Sequence, residues 1–530
     1  MKRIFSVIIA FALFFVLVAC GPTGGNENPD TTASFTGVGP ITIAVGDTFD
    51  PLTGVGAVDS VTGDITADIE VIENTVLTNT AGTYTVKYSV TGSDGKEVIV
   101  SRTVTVTGGH TTPPTEIVIM HGAPYEVDPF DPAYTGSEAL NRQNKQREVE
   151  GRLNVKVVYK AYPANAPWGP DRVTAIVQAS VSGTPLADIY WTTSDWTQQL
   201  VKGSAIVPVN DYLAEHGQLI TTQAKELGTY NGKFYAFSVN KPTVDVGLYY
   251  NLSLIESLGL DNPAELYNEG NWNWSDFTAW TAAAKAALPS MGDDYSVLGG
   301  ILGVYAENMV PLNGGALINA KTGKVTFHQN AALQTYDYIS NLYTQGMFET
   351  TPAYDAGSPL WQSGKVIMHP GSFWFLNAEN RWKNLAFDLG FVPYPKSDTY
   401  MIGTNPGPYV SPISGVAVYT LASGLSPAKE ELAFQVWNEI QLWKTDEEFK
   451  DEFETTLIKR LNDDASIAAY LDIFDKTAVD LINAIGISRY GATGWTANIN
   501  VGIREGSART KMDEIRPIYE EALSNYLSGV

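Results

Sequence analysis

Residues 187–196 read ADIYWTTSDW. Ala187 to Trp191 reads as a strand, and an acid and two tryptophans sit at its end: Trp191, then Ser194, Asp195 and Trp196. Upstream, Ile117-Val118-Ile119-Met120 is a short apolar run suited to a strand buried on both faces. Val155 to Tyr159 is another strand. Between these runs, Ser137 to Leu153 and Asp171 to Ser180 read as helices, with Leu140, Gln143, Val149 and Leu153 approaching one face. Strand, helix, strand, helix, strand predicts a parallel sheet with crossover helices. In such sheets the loops at the carboxyl ends of strands face the crevice. The acids and aromatics after Trp191 therefore stand where a ligand would.

The surrounding chain has 530 residues, enough for roughly three or four domains at about 100–200 residues each. Hydrophobic residues make up 44% and charged residues 17%, a globular composition. With 58 acidic and 34 basic residues the net charge is −24, which argues against general nucleic-acid binding and against an electrostatic grip on anionic lipid. A single cysteine excludes an internal disulfide and a cysteine-based zinc site.

That cysteine is part of the opening segment. Met1-Lys2-Arg3 precedes an apolar run from Ile4 to Ala19, too short for a spanning helix of about 20 residues. The run ends Leu17-Val18-Ala19-Cys20-Gly21 and resembles the bacterial lipoprotein signal. The resemblance implies a signal peptide over 1–19, cleavage before Cys20 and lipidation of Cys20. Anchoring would then be by lipid at the outer face of the cell membrane, since two or more acyl chains hold stably. Residues 20–32 read as a flexible tether.

From 33 to 107 the composition shifts to Thr, Val, Gly and Asp. Tyr84, Val86, Tyr88 and Val90 alternate, Ser93-Asp94-Gly95 supplies a turn, and Val98, Val100, Val104 and Val106 alternate in the next strand. Arg102 breaks that face and suggests an edge or rim. Short strands between turns predict a β-sandwich. Val45-Gly46-Asp47-Thr48-Phe49-Asp50-Pro51, Gly63-Asp64-Ile65-Thr66 and Ala81-Gly82-Thr83-Tyr84-Thr85-Val86 resemble the immunoglobulin-like repeat of bacterial surface proteins. The resemblance implies either an adhesive unit or a spacer. Residues 108–115 read as a linker.

Over 116–530 several segments, in order, resemble the family 1 extracellular solute-binding proteins of ABC importers. They are Gly232-Lys233-Phe234-Tyr235-Ala236-Phe237, Leu248-Tyr249-Tyr250-Asn251 with Leu254 to Leu260, Asn273-Trp274-Ser275-Asp276-Phe277, Gly364 to Gly371, Phe391 to Lys396, and Ser414 to Val418. The implied fold is two α/β lobes of the type II periplasmic-binding-protein kind, closing on a ligand by a hinge. The expected whole is thus multi-domain, a small all-β sandwich followed by a two-lobe α/β domain.

The resemblance also implies site residues. In the sugar-binding members an aromatic and an acid follow the strand that here ends at Trp191, which points to Trp191, Asp195 and Trp196. Tyr125 and Glu126 occupy the first cleft loop. Asp245 lies near a carboxylate position of sugar-binding relatives. After Gly371 either Phe373 or Trp374 would face the ligand. Asn405 and Tyr409 lie in the Gly/Pro loop 403–412, and Trp168 is a further candidate. All 12 tryptophans fall within 116–530. Rings that stack on sugar C–H faces, beside planar hydrogen-bonding groups, make a carbohydrate-like constellation. Trp274, Trp280, Trp437 and Trp443 fall at helical spacing and are expected in the core.

No nucleophile elbow, phosphate loop, dinucleotide turn or His-Glu-x-x-His helix occurs, and the five histidines show no metal-ligand spacing. The expectation is a non-enzyme with neither cofactor nor metal. It would be a monomer that binds a sugar or oligosaccharide and passes it to ABC permease subunits. Its rivals are a glycan-binding surface adhesin or sensor and an extracellular glycosidase. Asp128 and Asp131 in the long loop 122–134 are expected to be turn acids rather than cation ligands.

Overall fold

The computed structural model describes residues 32–108, 113–239, 241–292, 294–353, 357–378, 380–401 and 406–528. The signal peptide, Cys20, nearly all of the tether, the middle of the linker and Asn405 lie outside the described residues. The chain divides into two compact units. One is the N-terminal part to Thr115 with Gln143–Lys156; the other is Glu116–Arg142 with Val157 onward.

The first unit holds two sheets. Ala33–Thr36, Gly56–Asp59 and Gly63–Asp64 form one; Ile41–Ala44, Glu97–Thr107, Gly82–Thr91 and Glu70–Asn74, in that spatial order, form the other. The two long strands pair antiparallel from Gly82↔Val106 to Thr91↔Glu97. Their turn uses Gly95 at φ 74°, a left-handed conformation that favours glycine. The alternation read from sequence puts Val86, Tyr88, Val90, Val98, Val100 and Val104 into the core with Phe35. Arg102 does not mark an edge. It is buried on a central strand, and its Nε and Nη1 donate to the carbonyls of Gly39 (3.1 Å) and Thr53 (3.3 Å). Carbonyl acceptors make a buried guanidinium tolerable in an apolar face. The same unit takes in the C-terminal part of helix Ala139–Leu153, where Gly151 is buried. A Cβ there would stand 1.7 Å from Thr80 Oγ1.

The second unit has two lobes. The sheet of the first runs Ile206–Val207, Ala417–Ala422, Ile189–Thr193, Thr115–His121, Val155–Ala161, with Ala236–Phe237 also paired to Ala417–Ala422. Ile189 pairs with Ile119 in parallel, as the alternation predicts. The sheet as a whole is mixed, because Ala417–Ala422 enters antiparallel to Ile189–Thr193. That strand returns from the other lobe more than 200 residues later, so no short-range pattern announces it. The second lobe is built on Ser296–Leu298, Val366–Ser372, Val246–Asn251 and Leu389–Val392.

The chain passes between the lobes near 241–245, 414–416 and 440–445. Lys241, in the first passage, forms an ion pair at 3.1 Å with Asp446, the first residue of the helix that follows the third. Helix starts follow local chemistry. Asn273 and Asp276 make a reciprocal capping box, and Ser426 caps a helix whose next residue is Pro427. Trp280 and Trp437 are buried, while Trp274 and Trp443 are partly so. Near the C-terminus Met512, Ile515 and Tyr519 are buried, but Leu527 is exposed.

Candidate ligand-binding site

Strand Ile189–Thr193 ends in a single 3₁₀ turn, Ser194–Trp196, which aims three consecutive side chains differently. Ser194 grips the returning passage: its N–H donates to the Val416 carbonyl (2.9 Å) and its Oγ accepts from the Val416 N–H (3.1 Å). Asp195 is half-buried against Gly415, and burial pushes its carboxyl up to about 6. Trp196 turns into the core of the first lobe.

Beyond this turn lies a cavity of about 190 Å³, bordered by Ser414 and Gly415 of the returning passage, by Asp245, and by Glu307, Asn308 and Arg489 of the second lobe. Asp245 Oδ1 and its carbonyl both accept from the Phe373 N–H (3.0 and 2.7 Å). Its carboxyl is raised by desolvation although solvent reaches it, as suits a group at the floor of a cleft. Arg489 pairs with the buried carboxylate of Glu307 and donates from Nε to Thr496 Oγ1 at 2.9 Å. Behind them Asp480 accepts from the N–H groups of Leu317 (2.7 Å), Ile318 (3.1 Å) and Ile482 (2.9 Å). Burial nevertheless pushes its carboxyl up to about 7.

On the first lobe the same strand end carries an aromatic cluster. Trp168 lies 5.6 Å from Trp191 and 4.9 Å from Trp196 between ring centroids, and Trp191 lies 4.6 Å from His121. Trp168 is 51% exposed. His121 is held low, at about 4, by burial, so its ring is neutral near pH 7. Arg172 sits among these rings.

The remaining expected residues are placed as follows. Tyr125 and Glu126 are exposed on a 3₁₀ turn, and Glu126 is raised by desolvation. Residues 373–376 form a 3₁₀ turn rather than a continued strand, so alternation does not choose between Phe373 and Trp374. Phe373 stacks at 4.0 Å on Phe453 in the second lobe, while Trp374 is 47% exposed under Arg381. Tyr409 is a core residue whose hydroxyl accepts from the Tyr394 N–H (3.3 Å), and it offers no open face. Asp128 and Asp131 cap the N–H groups of Phe130 and Ala133, as turn acids do.

Sequence reasoning missed Arg172, His121, Glu307 and Arg489. Glu307 left one signal, a lone carboxylate in Leu302–Met309, a helix otherwise without charge. Among the described residues, one grouping of metal-type ligands occurs: Glu215, His216 and Glu431, on helices of the first lobe.

Two α/β lobes joined by three passages, with a polar cavity where the passages meet the second lobe, define a type II binding-protein fold. The profile described as bacterial extracellular solute-binding protein matches residues 152–437, and the chain belongs to that family. A second profile, the Ig-like domain of bacterial surface proteins, matches residues 33–106. No curated protein matches the chain significantly by sequence.

Solved structures with the same fold include the GacH receptor of Streptomyces glaucescens, known with acarbose (17% identity, 78% of this chain, 99% of that one, TM-score 0.51). A cyclic alpha-maltosyl-1,6-maltose binding protein from Arthrobacter globiformis is similar (14%, 78% and 100%, 0.53). So is UgpB from Mycobacterium tuberculosis, in complex with glycerophosphocholine (14%, 78% and 99%, 0.52).

Proposed function

We propose that this protein is the receptor subunit of an ABC importer and captures a saccharide between its lobes. The observation that carries the reading is the juxtaposition at the end of strand Ile189–Thr193. Partly exposed tryptophans stand on the first lobe, and the carboxylate-lined cavity of the second lobe and the crossing passages begins at Gly415, against Asp195. Indole faces take the C–H faces of a sugar, and Asp195, Asp245 and Glu307 accept from its hydroxyls. The sugar-binding relatives of the same fold support the choice of solute.

In this reading the molecule is a receptor and not an enzyme. It acts as a monomer, is held by lipid at Cys20 on the outer face of the membrane, and hands its solute to permease subunits. The Ig-like module belongs to the tethering apparatus. Among the described residues no helix is long and apolar enough to cross a membrane.

The test is a thermal-shift screen of the protein against mono- and oligosaccharides, with polyamines and amino acids as controls. A site filled at 100 times its Kd gains about 2.7 kcal/mol. We expect a shift with one saccharide class that is lost in Trp191→Ala. A response to polyamines or amino acids alone overturns the saccharide reading. For the anchor, Cys20→Ala is expected to release the protein from the membrane fraction, and quantitative retention there refutes it.

A further inference from the structure

Arg172, on helix Gly169–Val181, is 2% exposed and pairs with no carboxylate among the described residues. Its guanidinium carbon lies 4.0 Å from the Tyr162 ring centre, 5.1 Å from that of Trp168 and 5.5 Å from that of Trp191. Nη2 donates to the Pro167 carbonyl, while Nε and Nη1 donate to nothing. Rings stabilise a cation through their faces but accept none of its in-plane hydrogen bonds. A buried guanidinium with unmade donors is costly, so proteins normally pair it.

The free end of this guanidinium has a direction. A Cβ on Gly122 would stand 3.3 Å from both Nη1 and Nη2 and 3.1 Å from Trp191. Gly122 and Trp168 are exposed, so Arg172 lies one residue below the surface at the mouth of the aromatic cluster. Tyr162 donates to the Trp191 carbonyl (2.8 Å), which fixes the cage to the strand end whose Ser194 and Asp195 meet the returning passage at Val416 and Gly415. A side chain at 122 would press on the end of the guanidinium, and glycine keeps that approach free of one.

We propose that this cage is an anion-reading subsite. The imported solute carries a carboxylate or phosphate that takes the end of Arg172, while its ring stacks on Trp191 and displaces the half-exposed Trp168 indole. The shared chemistry is a planar or tetrahedral oxyanion, which a guanidinium fork matches. This rests on the saccharide reading above and narrows it to acidic saccharides. It also runs against the charge of the whole chain, since −24 would repel an anion. A single desolvated cation decides locally, because distant surface charges are screened.

The experiment titrates the full-length protein with digalacturonate, its neutral methyl ester and inorganic phosphate, read by tryptophan fluorescence and calorimetry. We expect the acid to bind about tenfold or more tightly than the ester. Arg172→Gln should erase that ratio, and Arg172→Lys should keep part of it. If the ester binds wild type as tightly as the acid, the subsite is overturned and the saccharide reading stands. If only phosphate binds, and through Arg172, the subsite stands and the saccharide reading falls. No binding by any probe overturns the subsite. Should Arg172→Gln fail to fold, wild type decides. Affinity for the acid must fall with salt while that for the ester does not, and equal salt responses refute the proposal.

Discussion

Asp195 Oδ1 lies 2.7 Å from the point where a Cβ on Gly415 would stand. The acid at the end of the first-lobe strand and the bare backbone of the returning passage thus share one space at the edge of the cavity. Gly415→Ala must move Asp195. Residue 415 is exposed, so the unliganded melting temperature should change little while ligand affinity falls by about tenfold, roughly 1.4 kcal/mol. Calorimetric titration with the responding solute checks this, and unchanged affinity removes Asp195 from the site.

Glu307 and Arg489 pair inside the second lobe, where Glu307 is buried. Removing one partner leaves a buried charge alone. Arg489→Met is expected to lower unfolding free energy by about 3 kcal/mol, the lower end for a broken buried pair, because Arg489 is partly exposed. The double variant Glu307→Gln/Arg489→Met should recover part of that loss. Denaturant titrations of Arg489→Met, Glu307→Gln and the double variant decide it, and a double variant as unstable as the sum of both singles would deny the pairing.

Asp480 makes stability depend on pH. Its carboxyl titrates at about 7 in the folded chain against 3.8 ordinarily, so between these values the folded state holds more proton than the unfolded one. Stability from this group therefore rises as pH falls from 7 toward 4 and is lowest above 7. The slope is about 1.4 kcal/mol per pH unit where the states differ by one proton. Asp480→Asn should flatten that part of the profile, measured by urea unfolding at stepped pH.

Gly151 packs where Thr80 leaves no room for a side chain. Gly151→Leu forces the two apart and should destabilise the first unit by about 1–3 kcal/mol. Faster amide hydrogen exchange is then expected in both 79–90 and 143–153. Exchange that rises in the helix alone would show that the Ig-like sandwich does not depend on this contact.

The fold was legible in sequence where the signal is local. Alternation over 84–90 and 98–106 and the caps at Asn273 and Ser426 came from neighbouring residues, and the strand–helix alternation gave the parallel sense of the strands that hold Ile119 and Ile189, though not which residues pair. The site was legible only in part. Asp245 lines the cavity, Asp195 abuts its edge at Gly415, and Trp191 belongs to the aromatic cluster at the same strand end, because strand ends are marked in sequence and strand ends face the crevice. Tyr409 misled, since a Gly/Pro loop reads as exposed while this ring is buried and its hydroxyl accepts from the Tyr394 N–H. Phe373 and Trp374 could not be separated by alternation, because the strand becomes a 3₁₀ turn at that point.

By itself the sequence determined the elements, the order of its modules and the chemistry available at strand ends, because hydrophobic periodicity, caps and turns act over a few residues. Tertiary structure alone decided the antiparallel return of Ala417–Ala422, the meeting of Glu307 with Arg489, and the enclosure of Arg172 by rings from other elements. Each joins residues far apart in the chain. Their energies depend on distance and burial in three dimensions, which no spacing in the sequence records.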